Sequence, residues 1–72
     1  MKPYKNLSGN SGVVAYEAGR NYISIKFTEG PPYKYSYKSA GRRHVEKLKL
    51  LAESGKGLSG YISKYVKDKF EH

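Results

Sequence analysis

The chain has 72 residues, with 14 Lys+Arg against 6 Asp+Glu, giving a formal net charge of +8. That length allows one small domain, and the absence of cysteine excludes the disulfide or Cys-based zinc staple that small folds often use. With two histidines a His-rich metal site is excluded too, and no apolar run approaches the ~18 residues that a membrane span requires.

Residues 1–12 read as a flexible N-terminal tail, because Ser8-Gly9-Asn10-Ser11-Gly12 is polar and carries no core pattern. Met1-Lys2-Pro3-Tyr4-Lys5 leads into polar residues, so no signal peptide is expected and the cytoplasm is the default compartment. Residues 13–70 are expected to form a single domain, with 71–72 as its C-terminal end. Val13 to Glu17 is β-prone, and Ala18-Gly19-Arg20-Asn21 suits a hairpin connection with Gly19 available for positive φ. Tyr22 to Thr28 alternates, with Ile23, Ile25 and Phe27 on one face and Tyr22, Ser24, Lys26 and Thr28 on the other. Glu29-Gly30-Pro31-Pro32 turns the chain, since proline cannot continue a central strand. Tyr33 to Tyr37 alternates again, with Lys34 and Ser36 opposite the tyrosines.

The hydrophobic period then changes. Ser39 is a candidate N-cap, and Val45, Leu48, Leu51 and Ala52 recur at helical spacing, with Leu50 widening the stripe. Gly55 suits the left-handed position after the last turn. Leu58, Tyr61, Ile62, Tyr65, Val66, Lys69 and Phe70 follow helical spacing in a second helix. The expected fold class is α+β: a three-stranded antiparallel β-meander followed by two α-helices packed on one face, in the order β-β-β-α-α.

The positive charge is divided between the halves, +3 on residues 1–36 and +5 on residues 37–72. It therefore belongs to the folded domain and points to an anionic partner. The uncovered sheet face would carry Ser24, Lys26, Thr28, Lys34 and Ser36, with Arg20 and Lys38 at its margins; ammonium groups and hydroxyls in that mixture suit a phosphate backbone. A solvated face whose lysines deter edge pairing has the same composition. Tyr33, Tyr35 and Tyr37 either line the core or expose a ring for base stacking, and strand register decides which. Arg42 and Arg43, with Lys47 and Lys49, give the first helix phosphate-binding chemistry or an ordinary solvated surface. Gly55-Lys56-Gly57-Leu58-Ser59-Gly60 lacks the spacing of a phosphate loop, but Lys56 beside a helix N-terminus could meet one phosphate. Catalytic material is scarce. His44 stands apart from the terminal His72, Asp68 is the one aspartate, and no acid/base pair assembles. No catalytic residue, metal or cofactor is expected.

Several short motifs resemble the KTSC domain, a small domain found C-terminal to some lysyl-tRNA synthetases and as stand-alone bacterial and phage proteins. They are Ser11-Gly12-Val13-Val14-Ala15-Tyr16-Glu17, Ile23-Ser24-Ile25-Lys26-Phe27, the Tyr33/Tyr35/Tyr37 ladder and Ala52-Glu53-Ser54-Gly55-Lys56-Gly57-Leu58. Many members place Val-Pro after the tyrosine strand, where this chain has Lys38-Ser39-Ala40-Gly41. The resemblance implies a small α+β domain, supplies no catalytic residues, and through the synthetase linkage suggests nucleic acid, tRNA among the candidates. The leading expectation is a non-enzymatic nucleic-acid-binding module, RNA more than DNA. Its contacts would come from Arg20, Lys26, Lys34, Lys38, Arg42, Arg43 and Lys56, with stacking from Tyr33, Tyr35 or Tyr37. The alternative is a protein-interaction module that docks an acidic partner. Self-repulsion at +8 favours a monomer, and no membrane contact is expected.

Overall fold

The computed structural model describes residues 1–7, 9 and 12–71. Its antiparallel sheet has the order β1-β2-β3-β4, formed by Lys2–Pro3, Val13–Ala18, Tyr22–Phe27 and Tyr33–Ser36. Two helices follow: α1, Arg42–Ser54, and α2, Leu58–Tyr61, which widens into a π-helical turn at Ile62–Val66. The α+β class and antiparallel meander are as expected, with one strand more than the expected three.

The added strand corrects the reading of residues 1–12 as a tail. Lys2 pairs with Tyr16 and Pro3 with Ala15, and the Tyr4 amide donates to Val14 O at 3.0 Å. The Tyr4 ring is buried, and its hydroxyl accepts the Leu58 amide at 3.4 Å. Further on, the Leu7 amide donates to Gly55 O at 2.6 Å. A two-residue edge strand is too short to show alternation, and proline is tolerated at an edge. Ser8, Asn10 and Ser11 of the Gly/Ser cluster lie outside the described residues.

Register places Ile23 opposite Tyr35, Ile25 opposite Tyr33 and Tyr16 opposite Ile25, so these side chains share the inner face. A bulge between Val13 and Ala15 absorbs Val14, which is left exposed. Val45, Leu48 and Ala52 of α1, with Leu58, Ile62 and Val66, close one continuous core over that face. Leu50 is 63% exposed. It lies about 200° around the helix from Leu48, and so does not widen the buried stripe. Gly19 does not adopt positive φ; a Cβ there would collide with the Tyr22 ring.

Both ends of α1 have a local cause. Ser39 does not cap the helix. Its amide donates to Ser36 Oγ at 3.1 Å and its own hydroxyl accepts the Ser36 amide at 3.0 Å, so that hydroxyl is held one turn too early. Gly41 is the N-cap instead, and the Tyr37–Ala40 turn buries Ser36, which alternation would have left on the open face. At the other end Gly55 takes the left-handed conformation (φ 82°), as expected, and its amide donates to Leu51 O.

The second helix departs from its expected pattern. Its buried residues, Leu58, Ile62 and Val66, are spaced by four. Residues four apart share one helix face, and the backbone changes to the π form within this stripe, at Ile62–Val66. Tyr65 is 47% exposed instead of joining the core, and Lys69 is also exposed.

Candidate nucleic-acid interface

The outer face of the sheet is set by the pairs Ala15–Lys26, Glu17–Ser24, Ser24–Lys34 and Tyr22–Ser36. Its two lysines are engaged by neighbours. Lys26 Nζ donates to Phe27 O at 3.0 Å and to Gly30 O at 2.5 Å, clamping the β3–β4 turn. Lys34 Nζ lies 3.9 Å from Glu71 Oε1 and 4.6 Å from the Tyr22 ring centroid. The Tyr22 hydroxyl donates to Glu17 Oε2 at 3.0 Å, which raises the Tyr22 pKa above its ordinary value. Two carboxylates therefore accompany two ammonium groups, and the local field is weak. Arg20 is exposed in the β2–β3 turn, where its carbonyl accepts Lys49 Nζ at 3.1 Å.

The tyrosine ladder does not form a stacking surface. Tyr35 is 2% exposed in the core, and burial pushes its pKa up to about 12, with smaller contributions from Tyr33 and Asp68. Tyr33 is half-buried, edge-on to Phe70 at 4.7 Å and to Phe27 at 5.7 Å. Tyr37 lies beyond β4 and donates its hydroxyl to Glu46 Oε2 at 2.6 Å, a bond that raises the tyrosine pKa and lowers that of Glu46. Lys49 Nζ reaches the same carboxylate oxygen at 3.0 Å. Register caused this outcome: pairing Tyr35 with Ile23 turns the ladder inward.

The cations around the helices are less engaged. Arg42 lies 6.0 Å from the Tyr37 ring centroid. Lys38, Arg43, Lys47 and Lys56 are exposed and have no carboxylate or carbonyl partner among the described residues. The phosphate reading of residues 55–60 weakens, because α2 is only four residues long and its first amide, from Leu58, is taken by the Tyr4 hydroxyl. Lys56 remains as an exposed charge in the connection.

A second constellation lies where periodicity had placed core. His44 Nδ1 and the Tyr61 hydroxyl share a hydrogen bond of 2.8 Å. The Tyr61 and Tyr65 rings are 4.7 Å apart, and His44 is stacked on Tyr65 at 6.2 Å and 27°. Lys64 Nζ lies 5.4 Å from the Tyr65 ring centroid. Beside these rings a groove of about 480 Å³ is lined by Arg43, Glu46, Lys47, Leu50 and Tyr61. Its one carboxylate, Glu46, is already occupied by Tyr37 and Lys49. The sequence carried no distinct signal for this site, because Leu58, Tyr61, Ile62, Tyr65 and Val66 all fit the spacing of one α-helical face.

No family model matches the chain, and no similar protein is found among curated sequences or solved structures. Among the described residues, no group of three or more His, Cys, Asp or Glu side chains is placed to hold a metal ion, and no helix is long and apolar enough to cross a membrane.

Proposed function

We propose that this chain is a small, basic, non-catalytic module that binds nucleic acid, RNA in preference to DNA, through contacts to phosphate, as a cytoplasmic monomer. The observation that carries the reading is the unneutralised charge on the outer side of the helices. Arg43 and Lys47 line one groove with no acidic partner of their own among the described residues, Lys64 stands over the neighbouring Tyr65 ring, and the groove's one carboxylate, Glu46, is bonded to Tyr37 and Lys49. Arg42, Lys38 and Lys56 are further exposed cations. Lys26 and Lys34 are secondary contributors, since each already has an intramolecular partner. Exposed tyrosine beside cations favours unpaired RNA, whose splayed bases stack on aromatic rings. The motifs shared with the KTSC domain support the same class of partner.

Leu50 supports a second reading. Its exposed side chain beside Tyr61 would suit an acidic protein partner, because tyrosine is favoured in interface cores. Fluorescence anisotropy of a short labelled single-stranded RNA, titrated at about 50 mM and again at about 200 mM salt, separates the two. Phosphate contact requires log affinity to fall linearly with log salt, by roughly 0.7 per contact. Binding that is insensitive to salt, or absent at the lower concentration, would overturn the nucleic-acid reading.

A further inference from the structure

The three rings beside the α1 groove come from separate elements. His44 is on the first turn of α1, Tyr61 ends α2, and Tyr65 lies in the π turn. The shared hydrogen bond orients His44 and Tyr61, and both rings pack against Tyr65. Tyr65 is thus held from one side of the helix pair while 47% of its surface stays open. The core does not use it: Leu58, Ile62 and Val66 are buried in the core cluster and Tyr61 and Phe70 pack against that cluster, while Tyr65 is not part of it. The π turn that carries Tyr65 is a rare form of backbone, used in proteins mostly as single turns and often at functional sites.

Cations accompany two of the rings. Arg43 and Lys47 lie along α1 next to Tyr61, and Lys64 sits on the π turn beside Tyr65. A free aromatic ligand would require no such cations. A strand does, because each base has a phosphate before it and another after it. Lysine at 5.4 Å from a ring is a mobile point charge on a flexible stem, and it can exchange the ring for a phosphate oxygen.

We propose that Tyr65, backed by His44 and Tyr61, is a stacking site for one unpaired base, with Arg43 and Lys47 holding the phosphate on one side and Lys64 the phosphate on the other. This rests on the nucleic-acid reading and adds to it a place on the surface and a dependence on the base itself. The rings are fixed before the ligand arrives, so the strand supplies most of the ordering cost.

The test compares two strands of equal length and charge, an oligouridylate and its abasic counterpart, on the full chain at low salt. The base-containing strand is expected to bind on the order of tenfold more tightly. Tyr65→Ala should erase that difference and leave the abasic affinity unchanged, while Tyr65→Phe should keep it. Tyr61→Phe, which retains the ring but removes the bond to His44, should reduce the difference in part. An unchanged thermal midpoint in each variant establishes that the fold is intact. Equal binding of both strands by the unmodified chain, or equal weakening of both by Tyr65→Ala, would overturn the stacking site while leaving phosphate binding in place. Failure of both strands to bind at low salt would remove the nucleic-acid reading and the stacking site with it.

Discussion

The uncovered face of the sheet and the outer side of the helices both present lysine and tyrosine, yet they dispose of them differently. On the sheet, Lys26 closes a turn, Lys34 meets Glu71, and Tyr22 bonds Glu17. On the helices, Arg43 and Lys47 have no carboxylate partner among the described residues, and Tyr65 leaves nearly half its surface to solvent. Residue type alone therefore does not identify a binding face. What distinguishes the two is whether nearby carboxylates and carbonyls already satisfy the groups that would meet a ligand. The sheet face is expected to contribute stability and the helical face to contribute binding.

The sharpest way to break this comparison is the triple variant Arg43→Ala, Lys47→Ala, Lys64→Ala. Three lost contacts should make the salt dependence of RNA affinity shallower by roughly 2 in the log–log slope, with stability within about 0.5 kcal/mol of the parent. An unchanged slope in salt titrations would place the contacts elsewhere. A change that touches neither face should do the reverse. Gly55→Ala forces a non-glycine residue into left-handed backbone and brings its Cβ to 2.7 Å from Lys5 Cβ. A loss of about 1–3 kcal/mol is expected in urea denaturation, with RNA affinity retained while the chain remains folded.

Lys26→Ala is the matching change on the sheet. It releases two carbonyls of the β3–β4 turn and should lower stability by about 1 kcal/mol, read from the urea midpoint, with little effect on RNA affinity. The smallest effect near neutral pH concerns Tyr35. Its folded pKa of about 12 lies above the ordinary tyrosine value near 10, so the folded state holds the proton more tightly. The associated stability is intact below pH 10 and is lost as the pH rises towards 12. Tyrosinate absorbance should show Tyr35 titrating last, together with unfolding. Full ionisation near pH 10 without unfolding would contradict its burial.

Much of the fold was legible in the chain, for reasons that also explain the misses. Strands β3 and β4 show alternation because one face is buried, β2 is marked by its β-prone residues, and α1 shows its stripe because Val45, Leu48 and Ala52 face one core. β1 is two residues long and anchored by a single ring, Tyr4, so it leaves no periodic trace. The N-cap was misplaced because the Ser39 hydroxyl is engaged with Ser36, a partner that only the turn brings near. At the site, residue chemistry indicated where cations occur but not which were already satisfied. Lys26 finds its acceptors through the turn, and the tyrosine ladder is turned inward by its register with Ile23 and Ile25. The ring cluster was hidden by assuming an α-helical period where the backbone takes a π turn.

The most direct measurement is an amide NMR titration of the chain with a short single-stranded RNA, repeated at low and moderate salt. Shifts that weaken with salt and cluster on residues 43–50 and 61–65 are expected if the helical side is the binding face. Shifts centred on residues 22–34, or none at low salt, would contradict it.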